Sequence, residues 1–459
     1  MSVTESTEKA IEELHKINKK YTCFVTTTED YARKRANELT ISKKKGALHG
    51  IIISVKDNIC TKGIKTTAGS AILSNYVPTY NATVIERIEQ EGGIIIGKTT
   101  MDDFGFGTFN VNVGEGIPIP KNPHDISRSS GGSSGGSGAA TAAFSSNSTV
   151  AERLAPTHLS LSESTGGSIT SPAAFCGVVG FTPSYGRVSR YGLIDYANSL
   201  DKIGTMGKTV SEAEQLARVI FGKDAKDETS LVVQEKPAKK VKKVAIIKEM
   251  LQGVDEKILT AFWKSIELTG IPYEEISLPS LEYAVASYYI IATAEASSNL
   301  SRYTGLRYGA QEEFSGSFND YFSSIRSKYF SAEEKRRIIL GTFVRTAGYK
   351  DKYYLKALKI REKINHDFHI LFKKYDALLS PSMPIIAPKF DEISKLKPIE
   401  IYALDSCTIP PNLALLPHLS IPIGKVNSMP VGLQVICDSL DENTLFEFGK
   451  QIESLVKYK

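Results

Sequence analysis

The sequence has 459 residues, with 56 Lys plus Arg against 51 Asp plus Glu, a net charge of +5. At about 150 residues per domain, that length allows three domains or one large α/β domain with insertions. So small a net charge excludes a dedicated polybasic nucleic-acid binder, and 41% hydrophobic with 23% charged residues excludes wholesale disorder.

In chain order, residues 8–38 read as helices flanking a short apolar stretch. Residues 51–55 (Ile-Ile-Ile-Ser-Val) are short and β-branched, which predicts a buried strand. Val84 to Gly92 has the spacing of an amphipathic helix, and Gly93 to Gly97 reads as a second buried strand. Residues 127–138 form a Ser/Gly tract with five glycines in the eight positions 131–138, followed by a helix over Ala139 to Ala143. Helices and apolar strands alternate to about residue 220, the pattern of a large mixed, twisted sheet covered by helices on both faces. A charged connection spans 223–243, Val244 to Ile247 is a strand, and about 281–375 reads as an inserted helical lobe. Strand and turn signals return at 376–388, 417–423 and 431–436, as if the chain re-enters the sheet of a single domain over 1–459.

No run approaches ~18–20 uninterrupted apolar residues, so no spanning helix is expected. The five cysteines (Cys23, Cys60, Cys176, Cys407 and Cys437) are far apart, with no Cys-x-x-Cys. That argues against a disulfide framework and a cysteine zinc site, and it fits a reducing compartment. Residues 1–9 lack an apolar core, so no secretory signal is expected, and Glu5 and Glu8 weigh against an Arg-rich transit peptide.

Four segments invite a chemical reading, each with a plainer alternative. Lys56 ends a predicted strand; either it pairs with a carboxylate there, or desolvation lowers its pKa and makes it a neutral general base. The Ser/Gly tract is either a flexible linker or a structured turn opening a helix, with free N–H groups and hydroxyls. Thr165-Gly166-Gly167-Ser168 follows the strand-like Leu159-Ser160-Leu161. It is either an ordinary helix N-cap or an oxyanion hole beside a nucleophilic Ser168. Gly92-Gly93-Ile94-Ile95-Ile96-Gly97-Lys98-Thr99 fits the phosphate-loop pattern letter for letter, yet its three isoleucines read as a strand. None of the seven histidines sits in a triad motif. His366 and His369 share a helix face, with solvation the plainer reading over a metal. A Ser–Lys pairing needs no histidine.

Ser54-Val55-Lys56-Asp57-Asn58, then Gly131 to Ser137, then Thr165 to Ile169 running into Pro172 to Phe181, occur in this order. Together they resemble the amidase signature family over most of the chain. The resemblance implies a Ser–cis-Ser–Lys triad, with Ser168 as nucleophile, Ser133 as bridging serine and Lys56 as base. Backbone amides of Thr165, Gly166 and Gly167 would form the oxyanion hole.

The stretches Tyr288 to Leu300, Arg302 to Gly309, Arg336 to Phe343, and Tyr402 to Asp405 with Pro411 to Ala414 resemble one branch of that family. Members of this branch hydrolyse glutamine for tRNA-dependent amidotransferases. The branch implies that Tyr288, Arg337 and Asp405 hold glutamine. A guanidinium suits the α-carboxylate and a carboxylate suits the α-ammonium. It also implies a heterotrimer, in which a partner amidates Glu-tRNA(Gln) with ATP and Mg and a small third subunit braces the pair. No cofactor or metal is implied in this chain. Three departures bear on the nucleophile's loop: Ser164 replaces an Asp, Thr170 replaces an Arg, and Asn147 to His158 looks inserted. A free-standing small-amide amidase and a catalytically weakened scaffold subunit are the alternatives. The Lys- and Ser-rich composition and the altered loop point to a mitochondrial member, or to the cytoplasm if the source is prokaryotic.

Overall fold

The computed structural model describes residues 2–43, 45–145, 157–456 and 458. Its strands are β1 (Phe24–Thr27), β2 (Ile52–Lys56), β3 (Ile94–Thr99), β4 (Lys121–Asn122), β5 (Asp125–Ser129), β6 (His158–Ser164) and β7 (Val179–Thr182), followed by β8 (Lys202–Gly207), β9 (Val244–Ile247), β10 (Tyr273–Ile276), β11 (Ala377–Pro381), β12 (His418–Val426) and β13 (Met429–Ile436). Eleven of them form one sheet in the order β1-β3-β2-β6-β8-β7-β12-β13-β11-β9-β10, and β4 and β5 pair separately. The sheet is mixed: β3, β2 and β6 run parallel, the strands from β8 to β13 pair antiparallel, and β11, β9 and β10 run parallel again. This is the α/β architecture that the sequence pattern predicts.

Every residue of β2, β3, β6, β8, β9, β11 and β13 is buried. Helices cover both faces, which explains the continuous apolar runs. On one face, the helices Val3–Tyr21, Glu29–Ile41 and Gly135–Ala143 share a core with Ile52, Ile94 and Ile96. On the other, Thr83–Gln90 and Val210–Ile220 pack on Ile53, Val55, Ile95 and Leu161. The alternation along β2 and β3 sends successive side chains to opposite helical layers. Between β10 and β11 the described residues form helices and no strand, the longest being Ala284–Asn299, Ala332–Arg345 and Lys356–Leu371. The stretch 223–243 carries no helix and no strand of the sheet.

The sheet's connectivity places the site. β2 and β6 are parallel neighbours with Val55 opposite Leu161, so their carboxyl ends emerge at one edge. Lys56 ends β2, and the chain leaves β6 at Ser164 into Thr165 to Ser168. Ligand sites of open α/β sheets collect outside such strand ends.

Candidate active site

The Ser/Gly tract is structured. Its helix starts at Gly135, four residues earlier than predicted, and Ser133, Ser134 and Ser137 are fully buried. The glycines answer to close packing. A Cβ on Gly136 would lie 2.5 Å from the carbonyls of both Cys23 and Thr100. Gly131 has φ +82°, and a Cβ there would lie 2.7 Å from Pro172. Side chains and carbonyls take up the tract's amides: Gly131 N–H donates to Ser129 Oγ (2.9 Å), Gly135 N–H to Asn110 Oδ1 (3.0 Å), and Gly136 N–H to the Thr100 carbonyl (3.0 Å). The Gly132–Ser133 peptide bond is cis.

This fold brings Lys56, Ser133 and Ser168 together. Lys56 is fully buried, and its Nζ donates to Ser133 Oγ at 2.7 Å. Ser134 N–H, next in the chain, donates to the Ser168 carbonyl (3.2 Å). Among the described residues, no hydrogen bond joins the Ser133 and Ser168 hydroxyls. Ser168 remains 6% exposed, the most open of the three. The plainer reading of Lys56 holds as well, because Nζ also pairs with Glu163 Oε2 (2.9 Å) and reaches the Glu163 carbonyl (2.9 Å).

Ser168 sits on a braced loop. Ser164 Oγ and Asn412 Nδ2 both donate to the Gly166 carbonyl, the former at 3.0 Å. Ser171 N–H donates to the Gly167 carbonyl (2.8 Å), starting the helix Thr170–Cys176. With those carbonyls turned into the protein, the N–H groups of Gly166, Gly167 and Ser168 have no acceptor among the described residues. That leaves donors for a developing oxyanion. The two substitutions therefore have different consequences: Ser164 braces the loop, whereas the Thr170 hydroxyl is buried without a partner among the described residues. Of the apparent insertion, residues 147–156 lie outside the described residues, and His158 opens β6.

Of the three predicted substrate-holding residues, Tyr288 meets this loop, Asp405 reaches it through Thr408, and Arg337 is linked to both through Tyr289. Tyr288 presses on Gly166, where a Cβ would lie 2.8 Å from its hydroxyl. Asp405 precedes Thr408 in a turn closed by Thr408 N–H to the Asp405 carbonyl (3.1 Å). Thr408 in turn touches Gly167, where a Cβ would lie 2.5 Å from its Oγ1. Burial pushes the Asp405 carboxyl up to about 6, against the hydrogen bonds from Tyr289 and Thr108. Arg337 is 3% exposed. Its Nε donates to Glu333 Oε1 (2.8 Å) and its Nη1 to the Tyr196 hydroxyl. The rings of Phe106, Tyr196, Tyr289 and Tyr402 surround it at 5.0 to 5.4 Å. Such a cage holds a guanidinium by cation–π attraction while leaving it little water.

Three site residues were not found by sequence reasoning. Glu163 is the carboxylate partner of Lys56. Tyr289, next to Tyr288, is the tyrosine that donates to Asp405 Oδ2 (2.6 Å). Glu333 holds Arg337 from one helical turn away and also accepts from Tyr402 (2.9 Å). A glutamate four residues before an arginine on one helix is a readable pair; the other two signals depend on strand register and helix rotation.

The phosphate-loop resemblance dissolves. Gly97, Lys98 and Thr99 lie within β3. Lys98 is fully buried, donating to the Ile59 carbonyl (2.5 Å) and Thr66 Oγ1 (2.9 Å), with Asp57 3.7 Å away. His366 and His369 lie on the helix Lys356–Leu371, and both are exposed. The five cysteines are buried and unbridged.

The amidase family model matches residues 5–446. A relative from Archaeoglobus fulgidus, named as a glutamyl-tRNA(Gln) amidotransferase subunit, is 46% identical over 446 residues, covering 96% of this chain and 94% of its own length. A relative of the same name from a Geobacillus strain is 42% identical over 474 residues, covering 100% and 95%. Among solved structures, the subunit of that name from Thermotoga maritima superposes with a TM-score of 0.79 at 34% identity, covering 98% of this chain and 91% of its own.

Proposed function

The chain belongs to the amidase family, and from that premise we propose that it is the glutamine-hydrolysing subunit of a tRNA-dependent amidotransferase. The observation that carries the chemistry is the 2.7 Å contact of buried Lys56 Nζ with Ser133 Oγ, beside the loop that presents Ser168. In this reading Ser168 Oγ attacks the side-chain amide carbon of glutamine. Its proton passes to Ser133, whose own proton passes to Lys56. The N–H groups of the 165–168 loop receive the oxyanion, the C–N bond breaks, and the relayed proton leaves with ammonia. Water then releases glutamate by the same relay. Arg337 would take the α-carboxylate, Asp405 the α-ammonium, and Tyr288 the wall above Gly166. The names of the relatives support a subunit of a glutamyl-tRNA(Gln) amidotransferase; in this proposal a partner uses ATP and Mg on Glu-tRNA(Gln) and takes up the ammonia, and a small third subunit braces the pair. The braced Ser164 loop favours this reading over an inert scaffold.

Asp405 supplies the test of substrate. Its carboxyl is pushed up to about 6, so it is ionised above that pH and protonated below it. Glutamine's ammonium stays charged throughout. The KM for glutamine, measured with partner subunits present, is therefore expected to rise as pH falls through about 6, approaching tenfold per unit. In Asp405→Asn the KM is high at every pH and this dependence is gone. A KM that is flat from pH 5 to 8 in the wild type would favour the free-standing amidase. So would faster hydrolysis of aryl or fatty amides by the chain alone.

A further inference from the structure

Glu163 is 1% exposed, lies five residues before Ser168, and has no role in the steps above. Its contacts are specific. Lys56 Nζ meets three acceptors: Ser133 Oγ (2.7 Å), the Glu163 carbonyl (2.9 Å) and Glu163 Oε2 (2.9 Å). An ammonium has three N–H groups, and all three are used. In that state Lys56 donates to Ser133, the reverse of what a base must do. One proton has to leave Nζ before it can accept from Ser133. Of the three acceptors, only the Glu163 carboxylate is basic enough to take it.

The far side of Glu163 is also arranged. Thr165 Oγ1 lies 2.9 Å from Glu163 Oε1 and 2.7 Å from Asp201 Oδ1. One hydroxyl carries one proton, so it satisfies both contacts only when one carboxyl is protonated. Asp201 fits that part: its Oδ2 accepts N–H bonds from Tyr196 (2.9 Å) and Ala197 (3.0 Å), whereas Oδ1 shares only the longer branch of the Ala197 N–H (3.1 Å) and is the oxygen that faces Thr165. Burial and the Glu163 charge raise Asp201 well above the usual carboxylate range. Thr165 then donates to Glu163, and Asn58 Nδ2 donates to Glu163 Oε2 (3.1 Å). Both oxygens of Glu163 are thus acceptors, and Oε2 faces Lys56.

We propose that Glu163 is a positioning residue for the base: it holds Lys56 Nζ against Ser133 and takes the ammonium proton, freeing the lysine lone pair for the Ser133 hydroxyl. This rests on the Lys56–Ser133–Ser168 reading. The balance is simple. Nζ–H breaks, a Glu163 O–H forms, and the neutral amine rotates about Cε–Nζ to accept from Ser133. As Ser168 attacks, one proton moves from Ser168 to Ser133 and another from Ser133 to Nζ. The proton on Glu163 stays until Lys56 has passed its own to the leaving nitrogen. Other groups face the pair from neighbouring segments: Asn58 after β2, Asp102 after β3, and Asp195 and Asp201 between β7 and β8; Arg190 acts on the last two and Arg337 on Asp102. Burial pushes Asp102 up to about 7, within the same window, but it is common to every variant compared.

The test follows the rate at which a fluorophosphonate labels the nucleophile from pH 5 to 10. Ser168 Oγ displaces fluoride from phosphorus and its proton enters the same relay, so no natural substrate is needed. Glu163→Gln removes the acceptor of the ammonium proton, which must then leave Nζ to solvent before the lysine can act. The midpoint of the acidic limb is expected to move at least about one pH unit higher. Glu163→Asp keeps the charge and is expected to leave the limb in place, which also covers the case where Glu163→Gln folds poorly. A Glu163→Gln profile scaled in rate with an unmoved midpoint would overturn the proposal while leaving the triad intact. Labelling of Ser168→Ala at the wild-type rate would overturn the triad itself.

Discussion

Ser168→Ala is expected to reduce glutamine hydrolysis by about ten-thousand-fold or more, because removing a nucleophile that acts as one unit with its base removes the covalent route entirely. The fold should not suffer. The change deletes one oxygen at the most open of the three triad positions, while the Ser168 carbonyl keeps its hydrogen bond from Ser134 N–H (3.2 Å). Thermal unfolding of the variant should match the wild type. In the complex assembled with its partner subunits, ammonia supplied directly should still amidate Glu-tRNA(Gln). The same complex supplied with glutamine should not. Loss of both would mean that the change damaged assembly, and loss of neither would remove Ser168 from the mechanism.

Lys56→Met carries the second large effect, and it acts on two quantities. Loss of the general base should lower glutaminase activity by about a hundred- to ten-thousand-fold. The same change strands Glu163, which is 1% exposed and would lose its cation. Breaking one side of a buried ion pair typically costs about 3–5 kcal/mol. Denaturant unfolding should therefore shift markedly in Lys56→Met and recover in Lys56→Met/Glu163→Gln, where this stranded charge is gone. Activity should not recover in the double variant. Activity restored together with stability would show that Lys56 serves only the fold. The neighbouring pair Lys98 and Asp57 is the built-in comparison: it is equally buried but touches neither serine, so its loss should cost stability alone.

The strands buried on both faces were legible in the sequence because β-branched runs such as Ile51 to Val55 and Val244 to Ile247 have few other uses. β10 was not. Tyr273-Glu274-Glu275-Ile276 is an exposed edge strand whose charged side chains mask the pattern. The Ser/Gly tract was ambiguous on composition, since a linker and a tightly packed turn both select glycine and serine. What separates them is the carbonyl of Thr100 against Gly136 and the Pro172 backbone against Gly131, which are contacts between distant segments. The meeting of Lys56 with Ser133, beside the loop that carries Ser168, was legible only through motif order and context. Glu163 was hidden because the partnership with Lys56 depends on β2 and β6 being parallel neighbours in a particular register. Tyr289 was passed over for Tyr288 because a helix rotates about 100° per residue, and only packing shows which ring meets Asp405 and which meets Gly166.

During turnover Ser168 is expected to carry the acyl group of glutamine. Acid-quenched peptide mapping of the complex during glutamine turnover tests it most directly. A γ-glutamyl ester on the peptide containing Ser168, absent from Ser168→Ala, is the predicted result. Turnover with the acyl group on another residue, or the same adduct in Ser168→Ala, would contradict it.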